Sequence, residues 1–291
     1  MTDEPVLEVR ELRKEYRVRT SRAEAVPAAG SALLGHAVTR RERAGVLVAV
    51  DDVSFSVSPG QSLAVVGESG SGKTTVARMV VGLERPTSGT IMVSGRERSW
   101  RHVSSRERRR RAREVQIVFQ DPYSSLDPRM SVRASLDESL RLHFDWTRER
   151  RDERVAELLD QVGLDRRQAN SLPKALSGGQ RQRVAIARAL ASEPRVLICD
   201  EAVASLDVSI QAQILNLLSD IRDATGVSYL FISHDLAVVR QVSDAVLVMR
   251  RGRVIEAGPT ASVLSEPSDA YTKQLLAAIP RPGWKPTPSN S

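Results

Sequence analysis

The sequence predicts an α/β fold: a core built on a mostly parallel sheet, an N-terminal antiparallel β part and an inserted helical subdomain. Three patterns carry that expectation. Short apolar, β-branched runs at 63–66, 115–119, 196–199, 229–232 and 245–249 have the length of buried strands, with helical segments between them. Ile210, Ile214, Leu217, Leu218 and Ile221 form one apolar helix face that ends before Gly226, the kind of crossover a parallel strand pair requires. From about 122 to 175 the strand pattern gives way to helix alone.

In chain order, residues 6–9 and 16–18 alternate like a half-exposed strand or pair of strands. Residues 19–45, rich in Ala, Arg, Gly and Ser without a period, read as a long loop. Strands follow at 47–50 and 53–57, and the turn Ser58-Pro59-Gly60 leads into the strand at 63–66, a helix at 75–82 and a short strand at 90–93. The strand at 115–119 ends at Gln120. A helix is expected at 131–143, and a second where Val155, Leu158, Leu159 and Val162 make one stripe that stops at Gly163. A further helix is expected at 181–191. The resulting division is a core of 1–121 and 176–255, a helical subdomain of 122–175 and a C-terminal extension of 256–291.

The strand at 63–66 runs into Gly67-Glu68-Ser69-Gly70-Ser71-Gly72-Lys73-Thr74, followed by Thr75. Glycines let the backbone curl so that its N–H groups point inward as an anion nest. Lys73 supplies a point charge for β- and γ-phosphates, and the Thr74 hydroxyl suits a Mg²⁺ ion that also touches the nucleotide. The following helix presents its positive end to the same phosphates. This is the phosphate loop of a nucleotide-binding core.

Two further segments extend the site. The run 196–199 delivers Asp200 and Glu201 to the carboxyl edge of the sheet, where open α/β sheets place their chemistry. Asp200 is expected to hold Mg²⁺, directly or through water, and Glu201 to polarise the water that attacks the γ-phosphate. Ser177, Gly178, Gly179 and Gln180 open the helix at 181–191; the Ser177 cap, the glycine N–H groups and the helix dipole form a second anion site. Two such sites suit a head-to-tail pair of chains in which each helix end closes over its neighbour's nucleotide.

Composition limits the alternatives. The 291 residues are 41% apolar and can furnish a substantial core. No apolar stretch approaches the ~18 residues of a membrane helix, and the charged N-terminus is unlike a signal peptide, so a cytosolic chain is expected. The single cysteine, Cys199, lies in an expected buried strand and reads as an inert thiol. A net charge of +7 raises nucleic acid as a partner. The skew of 38 arginines to 5 lysines fits genomic base composition as easily as a binding face, the six arginines within 106–113 read as a solvated helix turn ahead of a strand, and an acidic membrane surface is another candidate partner.

These motifs together resemble the ATPase subunits of ABC transporters. Leu176-Ser177-Gly178-Gly179-Gln180 matches that family's signature, and Gln120, Asp200, Glu201, Ser205-Leu206-Asp207 and His234 fall in its order. The resemblance implies ATP and Mg²⁺ as cofactors, with Gln120 sensing Mg²⁺ and the attacking water, Asp207 crossing a dimer interface and His234 contacting the γ-phosphate. It also implies that Tyr16 stacks on adenine, a role that suits a flat π face. The runs 118–132, 204–218 and 270–280 look like the oligopeptide/dipeptide importer branch and extend the resemblance over nearly the whole chain. Ala202 stands where that family commonly has proline, and Ala204-Ser205 reverses its usual order, which puts loop rigidity in question. The tail cysteines that some members use for an iron–sulfur cluster are absent from this sequence.

The resemblance therefore implies an importer's ATPase subunit on the cytoplasmic face of the membrane. Its implied partners are a second ATPase subunit, transmembrane permease subunits and, indirectly, a substrate-binding protein, with no nucleic acid. Alternatives are an importer of nickel or another small solute, and a soluble ABC-type ATPase acting on nucleic acid or ribosomes. Relatives of the soluble type carry a coiled-coil insertion, zinc-ligand cysteines or tandem cassettes, none visible here. A GTPase is disfavoured because no Asn-Lys-x-Asp segment occurs.

Overall fold

The computed structural model describes residues 4–17, 45–100 and 103–277. The expected 19–45 loop lies outside these residues except for Gly45, as does the tail from 278 onward. The strands are β1 (Leu7–Arg17), β2 (Val46–Val57), β3 (Ser62–Val66), β4 (Ser88–Val93), β5 (Arg96–Glu97), β6 (Val115–Val118), β7 (Val196–Asp200), β8 (Ser228–Ser233), β9 (Ala245–Arg250) and β10 (Arg253–Pro259). The helices are α1 (Lys73–Val81), α2 (Ser105–Glu114), α3 (Pro122–Ser125), α4 (Val132–His143), α5 (Arg148–Gln161), α6 (Arg166–Ala169), α7 (Gly178–Leu190), α8 (Val208–Thr225), α9 (Leu236–Val242), α10 (Thr260–Ser265) and α11 (Ala270–Ala277).

Strands β2, β1, β4 and β5 form an antiparallel sheet in that order. The half-exposed strand or pair expected at 6–9 and 16–18 is, over Leu7–Arg17, one continuous β1 with Leu7, Val9 and Leu12 buried, and Val18 lies outside the described residues. A bulge explains the broken alternation: Glu11 takes a φ of 49°, its N–H turns to Ser54 Oγ at 2.8 Å, and the register shifts between Val9 and Leu12. The two strands expected at 47–50 and 53–57 are likewise a single β2, running through Asp52 at φ 58°. The neighbouring Asp51 carboxylate accepts hydrogen bonds from Arg13 and, at 2.8 Å, from Arg253 Nε, tying β2 to β1 and β10.

The second sheet runs β10-β9-β3-β8-β7-β6, parallel throughout except for the β10–β9 pair. Its central strands are buried on both faces, which is why they read as continuous apolar runs. Successive side chains still serve opposite faces. Ala64, Val66, Leu197, Cys199, Tyr229 and Phe231 join a core with α4, α5, α7 and α8. Leu63, Val65, Val196, Ile198, Leu230 and Ile232 join another with α1 and the antiparallel sheet. Burial in the first core pushes the Cys199 thiol far above its ordinary value, so it stays protonated and inert.

Several helices begin earlier than their apolar period suggests. Helix α1 starts at Lys73, not 75, and α7 at Gly178, not 181, so phosphate-loop and signature residues occupy first turns where N–H groups are free of intrahelical partners. Ser131 is the N-cap of α4 and not its first residue, its Oγ accepting from Ala134 N–H at 3.3 Å. The arginine cluster is all of α2, not a single turn: Arg110 and Arg111 pair with Glu107, and Arg110 also with Glu114 at 3.3 Å.

Arg98, 3% exposed, closes the far end of α1 by donating to Val80 O at 2.7 Å and Arg111 O at 3.3 Å. Burial lowers its pKa to about 10, still well above neutral pH, so it remains a cation at a helix C-terminus, where one is favoured. Arg98→Met is expected to destabilise the chain by about 2 kcal/mol, because a buried charged donor and its two carbonyl contacts are lost. Thermal unfolding of the nucleotide-free chain checks this; an unchanged midpoint removes Arg98 as an anchor of α1.

Candidate functional site

The phosphate loop follows β3 as a turn closed by Ser71 N–H on Glu68 O at 3.1 Å and passes into α1. Two of its glycines are required sterically. Gly67 (φ 149°) presses on the Met249 carbonyl, and a Cβ on Gly72 (φ 106°) would stand 2.5 Å from Ala49 O. Strands β9 and β2 thus press on the loop from two sides. Glu68, Ser69 and Gly70 are exposed at its crest, Gly72, Thr74 and Thr75 are half-buried, and Ser71 and Lys73 are buried.

The Lys73 amine points back into the loop, donating to Gly67 O at 2.8 Å and Glu68 O at 2.9 Å, with Ser71 Oγ at 3.5 Å. Burial lowers its pKa, and the negative charges of Glu201, Asp200 and Glu68 oppose that shift. The amine is therefore a desolvated cation held by neutral carbonyls, for which phosphate oxygens are stronger partners.

Strand pairing brings distant residues to this loop. Strand β8 lies between β3 and β7, and Thr74 Oγ1 reaches Asp200 Oδ1 at 3.3 Å. Burial pushes the Asp200 carboxyl above its ordinary value, against the lowering effect of the Thr74 hydrogen bond. A hydroxyl and a carboxylate whose charge is penalised by burial fit a small, hard cation that brings phosphate and water as further ligands. Among the described residues no group of three or more His, Cys, Asp and Glu side chains is arranged to hold a metal alone.

Glu201 sits at φ 50°, its N–H on Ile232 O at 2.9 Å, and its Oε1 lies 3.2 Å from His234 Nδ1. A cavity of about 70 Å³ beside this pair is lined in part by Ala202, Gln211, Ser233 and Asp235. The turn that follows Glu201 and contains Ala202 is held by hydrogen bonds, Ala204 N–H to Glu201 O at 3.0 Å and Leu206 N–H to Val203 O at 3.2 Å. Gln120 follows β6, whose Val118 pairs with Cys199, so it stands at the same sheet edge as Asp200. Its carbonyl accepts from Ser205 Oγ at 3.4 Å.

In the segment 177–180 the expected Ser177 cap forms. Ser177 Oγ accepts from Gln180 N–H at 3.3 Å, and Gln180 Oε1 accepts from Ser177 N–H at 2.9 Å, a reciprocal capping box. Among the described residues no hydrogen bond or ion pair joins 177–180 to 67–75; the neighbours of Gly178 and Gly179 are Leu206 and Ile210. Asp207 occupies the N-cap position of α8 without capping it, and is exposed beside Val208, itself 84% exposed. Tyr16 pairs with Leu47, two residues from the Ala49 carbonyl that faces Gly72, and the Lys14 ammonium lies 4.8 Å from its ring centre.

Two contacts on the loop have no counterpart in a local sequence signal. Gly252, in the β9–β10 turn, donates to Ser71 O at 2.9 Å, and Tyr271 Oη, on α11, accepts from Glu68 N–H at 3.0 Å. The only pointer to Tyr271 was its place in the tail segment 270–280, which gives no reason for a phosphate-loop contact.

A family model for ABC transporters matches residues 50–204. The chain is 44% identical over 252 residues to the oligopeptide transport ATP-binding protein OppF of Bacillus subtilis, covering 85% of this chain and 80% of that one. It is 43% identical over 277 residues to the di/tripeptide transport ATP-binding protein DppF of Pseudomonas aeruginosa, covering 95% and 80%. Among solved structures, cbiO1 of Clostridium perfringens, part of the ABC transporter complex cbiONQ, superposes with a TM-score of 0.73 at 27% identity, covering 90% of this chain and 92% of that one.

Proposed function

The chain belongs to the ABC transporter family as an ATP-binding, ATP-hydrolysing subunit, and from that premise we propose that it energises peptide import through membrane permease partners. The observation that carries the mechanism is the meeting of Lys73, Thr74, Asp200, Glu201 and His234 at one sheet edge. Peptides as cargo follow from the relatives, which are named for oligopeptide and di/tripeptide transport.

In this reading residues 67–75 cradle the phosphates of ATP, and Lys73 leaves its loop carbonyls for the β- and γ-phosphates. Thr74 and Asp200 would hold Mg²⁺, with Gln120 at the same sheet edge. When bound, Mg²⁺ neutralises phosphate charge and orients the γ-phosphate. Glu201 takes a proton from the attacking water, and His234 exchanges its contact with Glu201 for one with the γ-phosphate. Tyr16 stacks on adenine.

The second anion site completes the cycle in a pair of chains. Ser177–Gln180 of one subunit covers the nucleotide held by its partner, and the exposed Asp207 crosses the interface. ATP closes this sandwich and hydrolysis opens it. Among the described residues no helix is long and apolar enough to cross a membrane. In this reading permease subunits supply the translocation path, with this chain peripheral on the cytoplasmic side and an extracytoplasmic binding protein delivering substrate. The division into a core of 1–121 and 176–255, a helical part of 122–175 and an extension of 256–291 belongs to the same reading: Gln120 follows β6, the strand that leads into the helical part.

The test is reconstitution. The chain is co-purified with its permease partners, placed in vesicles with the binding protein, and ATP-dependent uptake of di- and oligopeptides is compared with that of nickel. Peptide uptake that requires this chain is the expected result. Uptake of nickel alone reassigns the cargo, and peptide uptake that continues without the chain refutes the transport role.

A further inference from the structure

We infer that Tyr271, on the C-terminal helix α11, is a positioning residue of the nucleotide site and holds the first peptide of the phosphate loop in the orientation that ATP requires. The inference rests on that loop being the ATP site, as proposed above.

The Gly67–Glu68 peptide is gripped at both of its polar atoms. Its carbonyl, Gly67 O, accepts from Lys73 Nζ at 2.8 Å, and its N–H, on Glu68, donates to Tyr271 Oη at 3.0 Å. Once the Lys73 amine turns to phosphate, the carbonyl loses its partner. The tyrosine hydroxyl is then the contact that keeps this peptide from rotating, and glycine at 67 offers little steric resistance of its own. Rotation there would reorient the N–H groups that follow in the nest.

Tyr271 is built to hold still. It is 3% exposed and belongs to the core shared with the parallel sheet. The Arg250 guanidinium lies 4.6 Å from its ring centre, just before the turn whose Gly252 N–H holds Ser71 O at 2.9 Å. Asp269 Oδ1 accepts from Tyr271 N–H at 2.7 Å, and the Glu256 carboxylate of β10 accepts from Ser268 N–H at 2.7 Å and Asp269 N–H at 3.2 Å. The start of α11 is thereby fixed to β10, and through the tyrosine to the loop. The C-terminal extension thus contributes a residue to a site that otherwise belongs to the core.

Tyr271→Phe keeps the ring and its packing and removes only the acceptor. Titration of the full-length chain with MgATP is expected to show binding weakened about fivefold, the factor carried by one neutral hydrogen bond. In turnover assays the change falls on KM more than on kcat. Leu275→Ala is the companion variant: it removes apolar packing from the same helix and is expected to lower the unfolding midpoint without a comparable loss of affinity. A Tyr271→Phe affinity within twofold of wild type overturns the inference, as does an equal loss of affinity in Leu275→Ala. Failure of the wild-type chain to bind MgATP refutes the reading of the loop itself, and the inference with it.

Discussion

Replacing Glu201 with glutamine is expected to cut ATP turnover by about a hundredfold or more, the range for removing a positioned general base, while ATP binding survives. The amide preserves the shape of the side chain and can still meet His234 Nδ1, now 3.2 Å from Oε1. It cannot accept the proton of the attacking water. One negative charge also leaves the neighbourhood of the phosphates, which reduces repulsion in the closed state. The expected product is an ATP-bound dimer that persists, read by light scattering of the purified chain with MgATP and by steady-state phosphate release. Hydrolysis at the wild-type rate would sink the assignment of Glu201 as base. Loss of both binding and turnover would place the defect in the fold of the β7 edge.

Lys73→Ala is expected to act on the other side of the cycle, raising the Kd for ATP at least about tenfold, since a charge-assisted contact to phosphate carries roughly 1.5–3 kcal/mol. The Lys73 amine is buried, its pKa is lowered by burial, and it donates to Gly67 O and Glu68 O. Alanine removes that buried cation together with its contacts, so the unfolding midpoint without nucleotide is expected to move less than the midpoint with saturating MgATP. Calorimetric titration and paired thermal scans separate the two quantities. An affinity within twofold of wild type removes Lys73 from the phosphate site.

The contrast between the two variants depends on where their side chains start. Lys73 is in the first turn of α1 and Glu201 is just past β7, 128 positions apart in the chain and brought together by sheet pairing. The sequence shows each segment clearly because each is a local pattern: a strand followed by glycines and a lysine, an apolar run followed by two carboxylates, and a serine cap three residues before a glutamine. Such patterns reflect steric and hydrogen-bonding needs met within a few residues. The boundaries blurred where the local rule had an exception. Bulges at Glu11 and Asp52 broke the alternation of β1 and β2 and made each look like two pieces. Apolar periodicity missed the first turns of α1 and α7, because those turns carry Lys, Thr, Gly and Gln in place of apolar residues.

The sequence by itself determined the parts of this protein: a phosphate loop, a carboxylate edge, a capped glycine-rich helix, and strands apolar enough to be buried on both faces. Their family resemblance was legible for the same reason. Only the tertiary structure decided which parts meet. The order β10-β9-β3-β8-β7-β6 sets Thr74 against Asp200 and Glu201 beside His234. It also leaves Ser177–Gln180 without a hydrogen bond to the loop among the described residues, and brings Tyr271 from the end of the described chain to the start of that loop. The Thr74–Asp200 and Tyr271–Glu68 contacts span 126 and 203 residues and are formed by sheet pairing and burial, and no local spacing encodes them.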